Sequence, residues 1–525
     1  MLIIRKLQQY KSGFQWVGFF VVVFYAIQFT SPKYSYFQDS HDKLVQTYSV
    51  WKNDFKTDQL YYPAYQFDSK LVYFHLVNNL YLKVNERLVS AFPIQFAYLL
   101  APFLIFLHPS QMVYTSLLFL FSSFYILRKY YKFSFLFLWF SFFSTFLWPL
   151  SWEYSEFPAV FCFATLCLLP VLKHKRNILF QILCGLGLSW VVMVRLDTLP
   201  FLFSFLFFYF YFHWKETDTK SFAKEVISLQ FFFLAGIIGI LIQFLINQTL
   251  YQHFLGTRFL ANAQGLTVSF DERLRWFQTL LFYSDKKIGF FLYLPLSILV
   301  IGFYKKYFHS IEKRKKALFV AMNITLLTIP FLAPNDGFNN WGPRFYTILI
   351  LPYLILFKPI LTLILRRKRF FFLSIFLFFT LFSVMLGFLG AKIQKSKTSL
   401  LKNFQTITNE IKPDVFVFTD YLNIYSIGSD YTKQITLVSY STESNTKLIR
   451  LLRKELPNKK IAFVDWHPTI LTPEIRQAMD ADKIKGNYPV SHWDVNQLET
   501  DLKPNTKDYQ IIDRQMYRIW TGIIK

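Results

Sequence analysis

Cysteine is scarce in this chain. Cys162, Cys167 and Cys184 all fall in apolar stretches, which argues against a disulfide framework. No Cys or His spacing forms a metal-ligand cluster, and no Gly-rich phosphate loop marks a nucleotide site. The first apolar run follows a basic N-terminus but lacks a small-residue cleavage site, so "YAIQFTSPK" reads as an uncleaved signal anchor. Also missing is an internal hydropathy repeat with matched Gly/Pro-broken helices, the pattern of many secondary transporters. Acidic residues are few, 32 against 57 Lys and Arg.

What the chain does have is apolar length. Of its 525 residues, 54% are apolar and 21% aromatic, too many for a water-soluble protein of this size. Apolar runs of about 17–22 residues recur between residues 14 and 390, each able to cross the hydrocarbon core as a helix. The 65 Phe residues read as compositional drift and not as a functional signal. The net charge of +25 is not spread along the chain. It sits in short gaps: Arg5, Lys6 and Lys11, "RKYYK" at 128–132, "KHKR" at 173–176, Lys215, Lys220 and Lys224, "EKRKK" at 312–316, and "RRKR" at 366–369. That alternation is the positive-inside pattern, so no nucleic-acid partner is implied.

With the basic gaps placed in the cytoplasm, spans are expected at about 14–30, 112–127, 134–150, 157–172, 178–194, 199–213, 226–246, 288–304, 317–333, 345–357 and 370–390. The expected fold is therefore an all-α polytopic membrane bundle of about eleven transmembrane helices, with the N-terminus cytoplasmic. A long first outer loop covers about 31–111, and its segment "FPIQFAYLLAPFLIF" is expected to lie on or dip into the outer leaflet. From about 393 the composition turns soluble. "DVFVFTD", "QITLVSY", "KIAFVDW" and "YQIIDRQMYRIW" read as strands, with "STESNTKLIRLLRKEL" and "TPEIRQAMDADK" as helices. Residues 1–392 are thus expected to form the membrane domain, and 393–525 a small extracytoplasmic α/β domain that caps it or docks an acceptor.

On this topology the acidic and mixed chemistry collects on the outer face. "DSHDK" leaves the first span, and a helix would set Asp39 and Asp42 on one face with His41 between them. An acidic helix start and an i,i+4 pair to Lys43 is the plain alternative. Glu153 and Glu156 occupy a short outer turn and read either as site groups or as solvated loop acids. Arg195 and Asp197, embedded between apolar runs, must face a polar cavity or pair with each other. Lys286 and Lys287 stand at the mouth of a span against the charge bias, which suits an anionic ligand or lipid phosphate. Trp341 and Arg344 stand at another mouth. A guanidinium there suits bidentate phosphate recognition, and the indole suits an interfacial anchor.

The order of "DSHDK", "FPIQFAYLLAPF", "LWPLSWEYSEFPAV", "GLGLSWVVMVRLD", "SDKKIGFFLYLPLSIL" and "NNWGPRFYTILILPYLIL" resembles the GT-C superfamily of membrane glycosyltransferases, including protein mannosyltransferases and the lipid A aminoarabinose transferase. The resemblance covers residues 1 to about 390. It implies an enzyme of the cell membrane that moves a sugar from a polyprenyl-phosphate donor, usually with inversion, to a lipid, glycan or protein acceptor outside the membrane. Asp39 would then be the general base, with Asp42 or His41 orienting it. Arg195, Lys286, Lys287 and Arg344 would hold the donor phosphate, and Glu153, Glu156, Asp197 and Trp341 the sugar or acceptor. No cofactor is implied, although Asp39 and Asp42 could share a divalent metal with the phosphate. A multi-pass transporter or flippase, and a non-catalytic envelope assembly factor, are the competing classes.

Overall fold

The computed structural model describes residues 2–74, 80–173, 177–262, 268–284, 287–335, 341–366, 370–419, 423–467, 469, 494–514 and 516–525, with side chains from residue 12. The chain divides into two compact units. The first comprises residues 1–32 and 113–395, and the second 33–112 and 396–525.

The chain is a helical membrane protein. Among the described residues, six helices are long and apolar enough to cross a bilayer: Pro109–Lys129, Leu196–Glu216, Gln230–Tyr251, Lys313–Leu332, Arg344–Arg366 and Phe370–Ile411. Shorter apolar helices run over Ser12–Gln28, Ile94–Ile105, Phe157–Lys173 and Ile178–Val194. The expected spans at 134–150 and 288–304 are broken. The run at 134–150 forms helices Phe135–Phe143 and Leu147–Leu150, because Thr145 turns its hydroxyl back onto the Ser141 carbonyl and then caps Leu147. The run at 288–304 forms Phe290–Tyr293 and Ser297–Lys306, interrupted at Pro295, which has no N–H to continue the ladder.

In the first unit, packing is set by aromatic side chains and by small residues where helices approach closely. Helices Ile178–Val194 and Gln230–Tyr251 touch through Gly185, where an added Cβ would come within 2.3 Å of the Phe232 carbonyl oxygen. Lys316 Nζ, in the first turn of Lys313–Leu332, bonds Glu216 Oε1 at 2.7 Å, at the end of Leu199–Glu216. These two closely packed helices are therefore antiparallel.

The second unit is built on a five-stranded sheet. Its strands are β1 (Val415–Phe418), β2 (Ile435–Val438), β3 (Lys460–Trp466), β4 (Thr506–Asp513) and β5 (Tyr517–Ile524). The spatial order is β2-β1-β3-β5-β4. β1 runs parallel to β2 and β3, with Val417 opposite Leu437 and Phe463, while β5 is antiparallel to β3 and β4. The strand expected over 509–520 is thus a hairpin, closed by the Arg514 N–H to the Tyr517 carbonyl. Helix Thr442–Glu455 follows the sequence reading, whereas the helix expected over 472–483 lies outside the described residues. Phe404, on the far part of the 42-residue helix Phe370–Ile411, packs on Phe416, Phe418 and Tyr517.

Residues 33–112 belong to this second unit together with residues 396–525. Val45, Leu60, Tyr62, Phe74 and Leu88 share one core with the sheet residues Val417, Phe463 and Trp520. The Tyr73 carbonyl accepts from the Val438 N–H at 3.0 Å and so covers part of the open edge of β2. Asp68 holds that segment in place. Its carboxylate accepts from Tyr62 Oη, Val72 N and Tyr73 N at 2.7, 2.8 and 2.9 Å. The reason is elementary: loop residues this apolar must be buried, and the sheet offers an apolar surface.

Candidate functional site

In the second unit the acidic motif opens helix Asp39–Lys52. Gln38, just before it, has φ 47° and ψ −123°, a conformation that costs a non-glycine residue free energy. Gln38 makes no side-chain cap, so the cap expected at the helix start is absent and Asp39 itself lies within the first turn. Asp39 is half-buried, whereas Ser40, His41, Asp42 and Lys43 are at most 3% exposed. Lys43 Nζ lies 4.9 Å from the centre of the Phe92 ring, and Gln46 bonds the Phe92 carbonyl at 2.9 Å.

His41 Nδ1 stands 3.3 Å from Asp42 Oδ1, and the Tyr425 hydroxyl donates to Asp42 Oδ2 at 3.4 Å. The imidazole meets Tyr425 and Tyr431 edge-on, with ring centres at 5.4 and 5.7 Å. Burial pushes the Asp42 carboxyl above its ordinary value, and the neighbouring Asp39 charge adds to that, while His41 and the Tyr425 hydroxyl oppose it. The motif therefore contains one partly accessible carboxylate, Asp39, backed by a buried carboxyl–imidazole pair.

In the first unit a second polar cluster forms where three apolar helices end. Arg195 follows helix Ile178–Val194, Glu156 precedes Phe157–Cys167, and Asp197 lies in the turn before Leu199–Glu216. Arg195 Nε and one terminal nitrogen grip Asp197 at 2.8 and 2.6 Å, and the other terminal nitrogen bonds Glu156 at 2.9 Å. Arg195 was expected to meet a donor phosphate. It is 5% exposed and pairs with two carboxylates. Glu156 and Asp197, expected to contact sugar or acceptor, are these carboxylates. Glu156 is buried and Asp197 half-buried.

Arg344 shares a ring with Arg195. The Phe345 ring has the Arg195 guanidinium 5.5 Å from its centre and that of Arg344 at 5.4 Å, so the two guanidinium carbons are at most about 11 Å apart. Phe157 holds the Arg195 guanidinium from another side at 4.7 Å. Trp341 donates its indole N–H to the Leu386 carbonyl at 3.1 Å and fills the space over Gly390. Glu153 is half-buried, and its backbone carbonyl accepts from Ser116 Oγ at 3.3 Å. Lys287 is half-buried in the short hairpin Tyr283–Ser284/Lys287–Ile288, and Lys286 lies outside the described residues.

An apolar groove of about 930 Å³ is lined by Leu188, Leu199, Leu202, Phe207, Trp214 and Phe233 among others. No group of three or more His, Cys, Asp or Glu is placed to hold a metal ion among the described residues, and Asp39 and Asp42 are two. Sequence reasoning missed Tyr425, Tyr431, Phe157 and Phe345. The two tyrosines lie more than 380 residues from the motif they pack on, and no local pattern marks them. Compared with known proteins, the chain matches no family model and no curated protein.

Proposed function

We propose that this protein is a membrane glycosyltransferase that uses a polyprenyl-phosphate sugar and acts on the extracytoplasmic face of the cell membrane, with about eleven crossings and a cytoplasmic N-terminus. The observation that carries the reading is Asp39: a half-accessible carboxylate at the start of the helix after the first apolar segment, backed by buried Asp42 and His41. Asp39 takes the proton of an acceptor hydroxyl as that oxygen bonds to the anomeric carbon from the face opposite the phosphate. The bond from the anomeric carbon to the phosphate oxygen breaks, and polyprenyl phosphate leaves with the electron pair. Within the first unit, Arg344 and Lys287 are the proposed contacts of the donor phosphate. The apolar groove along helix Leu199–Glu216 suits a prenyl chain that stays within the bilayer.

The test is sugar release by the purified protein from a set of polyprenyl-phosphate sugars. Asp39→Asn should abolish transfer and leave the protein folded, whereas full activity in that variant removes Asp39 from the base role. Arg344→Ala should weaken donor use more than acceptor use. A transporter or flippase is the second reading, favoured by the Glu156–Arg195–Asp197 triad, with Glu156 and Arg195 buried, among apolar helices. Solute or lipid movement in proteoliposomes, without sugar release, would select it.

A further inference from the structure

The acidic motif is not held by the first outer loop alone. The segment Asn423–Thr432 follows β1, and it touches the motif helix at several independent points. Tyr425 supplies its hydroxyl to Asp42 and its ring to His41. Tyr431 supplies a second ring to His41, and its hydroxyl donates to the Tyr61 carbonyl. The Thr432 carbonyl accepts from Tyr48 Oη at 3.4 Å, on the same helix as the motif. The segment is itself anchored to the sheet: Asn423 Nδ2 bonds Thr419 Oγ1 at 2.8 Å, and Ser426 Oγ lies 2.7 Å from Tyr517 Oη. Asn423, Ile424, Tyr425, Ser426 and Tyr431 are all buried, so the clamp is fully packed.

We infer that the segment Asn423–Thr432 is a clamp built into the C-terminal domain for the Asp39–Asp42 motif, and that Tyr425 is a positioning residue for the reaction Asp39 carries. The inference rests on the proposed function for its catalytic half only. A buried carboxyl such as Asp42 takes up a single orientation only if its oxygens are held. Here one oxygen faces His41 and the other the Tyr425 hydroxyl, so the Asp42 side chain and the imidazole are fixed relative to Asp39 one turn earlier. The C-terminal domain is thereby part of the catalytic apparatus and not a dispensable cap.

Tyr425→Phe keeps the ring and removes only the hydroxyl. In the full-length protein it should lower kcat about three- to tenfold and leave the donor KM unchanged. The groups facing Asp42 are His41, Asp39 and Tyr425; His41 and the phenol favour the ionised carboxyl, and Asp39 disfavours it. Loss of the phenol hydroxyl should therefore move the acidic limb of the kcat profile to higher pH, which loss of packing alone would not do. A variant with the parent's kcat and the parent's pH limb overturns the positioning role. The clamp is read without any activity through hydrogen exchange. Tyr425→Ala with Tyr431→Ala should speed amide exchange over residues 40–50 and leave β3 at the parent's rate. Unchanged exchange over 40–50 overturns the clamp. If no donor is turned over by the parent protein, the glycosyltransferase reading falls, and the exchange result alone decides whether the clamp stands.

Discussion

Replacing Arg195 by methionine separates two roles for that guanidinium. The side chain is 5% exposed, and three of its nitrogens bond carboxylates at 2.6–2.9 Å. Arg195→Met takes the guanidinium away from buried Glu156, 4% exposed, and from the Asp197 carboxylate. Breaking a buried pair from one side costs about 3–5 kcal/mol. Glu156→Gln keeps an acceptor for Arg195 and leaves the two-pronged Asp197 contact, so about 1–2 kcal/mol is expected. The double variant should be more stable than Arg195→Met alone, because the buried Glu156 charge is gone. The assay is the apparent midpoint of heat unfolding in detergent, followed by tryptophan fluorescence, where Arg195→Met should lose several degrees. A guanidinium reserved for phosphate would behave in the opposite way: its removal would spare the midpoint and raise the donor KM. An Arg195→Met midpoint within a degree of the parent refutes the triad as an ion-paired unit.

Asp68→Ala removes three hydrogen bonds to one buried carboxylate and should destabilise the second unit by about 3 kcal/mol. Faster amide exchange at Val438, as the cover over β2 loosens, checks this. Gly390→Ala would put a Cβ 2.4 Å from the Trp341 indole, so the indole must move. A loss of about 1–3 kcal/mol and a shift in tryptophan emission are expected. The raised Asp42 carboxyl sets a pH dependence of known sign. Its folded form binds the proton more tightly than the unfolded chain, so this group makes no demand below about pH 3.9 and erodes stability as pH rises through the window up to its elevated folded value. Asp42→Asn should flatten stability against pH across that window, and an unchanged slope contradicts the assignment.

Local physics made part of this molecule readable from its residues. Long apolar runs without interruption, such as Gln230–Tyr251, are helices as expected, and β1 to β3 fall where β-branched and aromatic residues cluster. Pairing of Arg195 with Asp197 was one of two options that desolvation allowed, and the neighbouring Glu156 completes it. The broken runs failed because hydropathy does not register what Thr145 and Pro295 do to a ladder. The extension of the last long helix to Ile411 was present as a 3–4 spacing of Leu401, Phe404, Ile407 and Ile411, hidden by surrounding Lys and Ser. The clamp was invisible, since contact between residues 42 and 425 depends on a fold that no short window encodes.

The shared core of residues 33–112 and 396–525 has a consequence during synthesis. Translation at about 5–20 residues per second takes tens of seconds to pass from residue 112 to residue 525. Throughout that interval Leu60, Phe74 and Leu88 have no sheet to cover them. A newborn chain therefore carries a sticky, half-built module that only the last residues can finish. A premature stop anywhere in the final strands should send the protein to quality-control proteases and not yield a shorter working form.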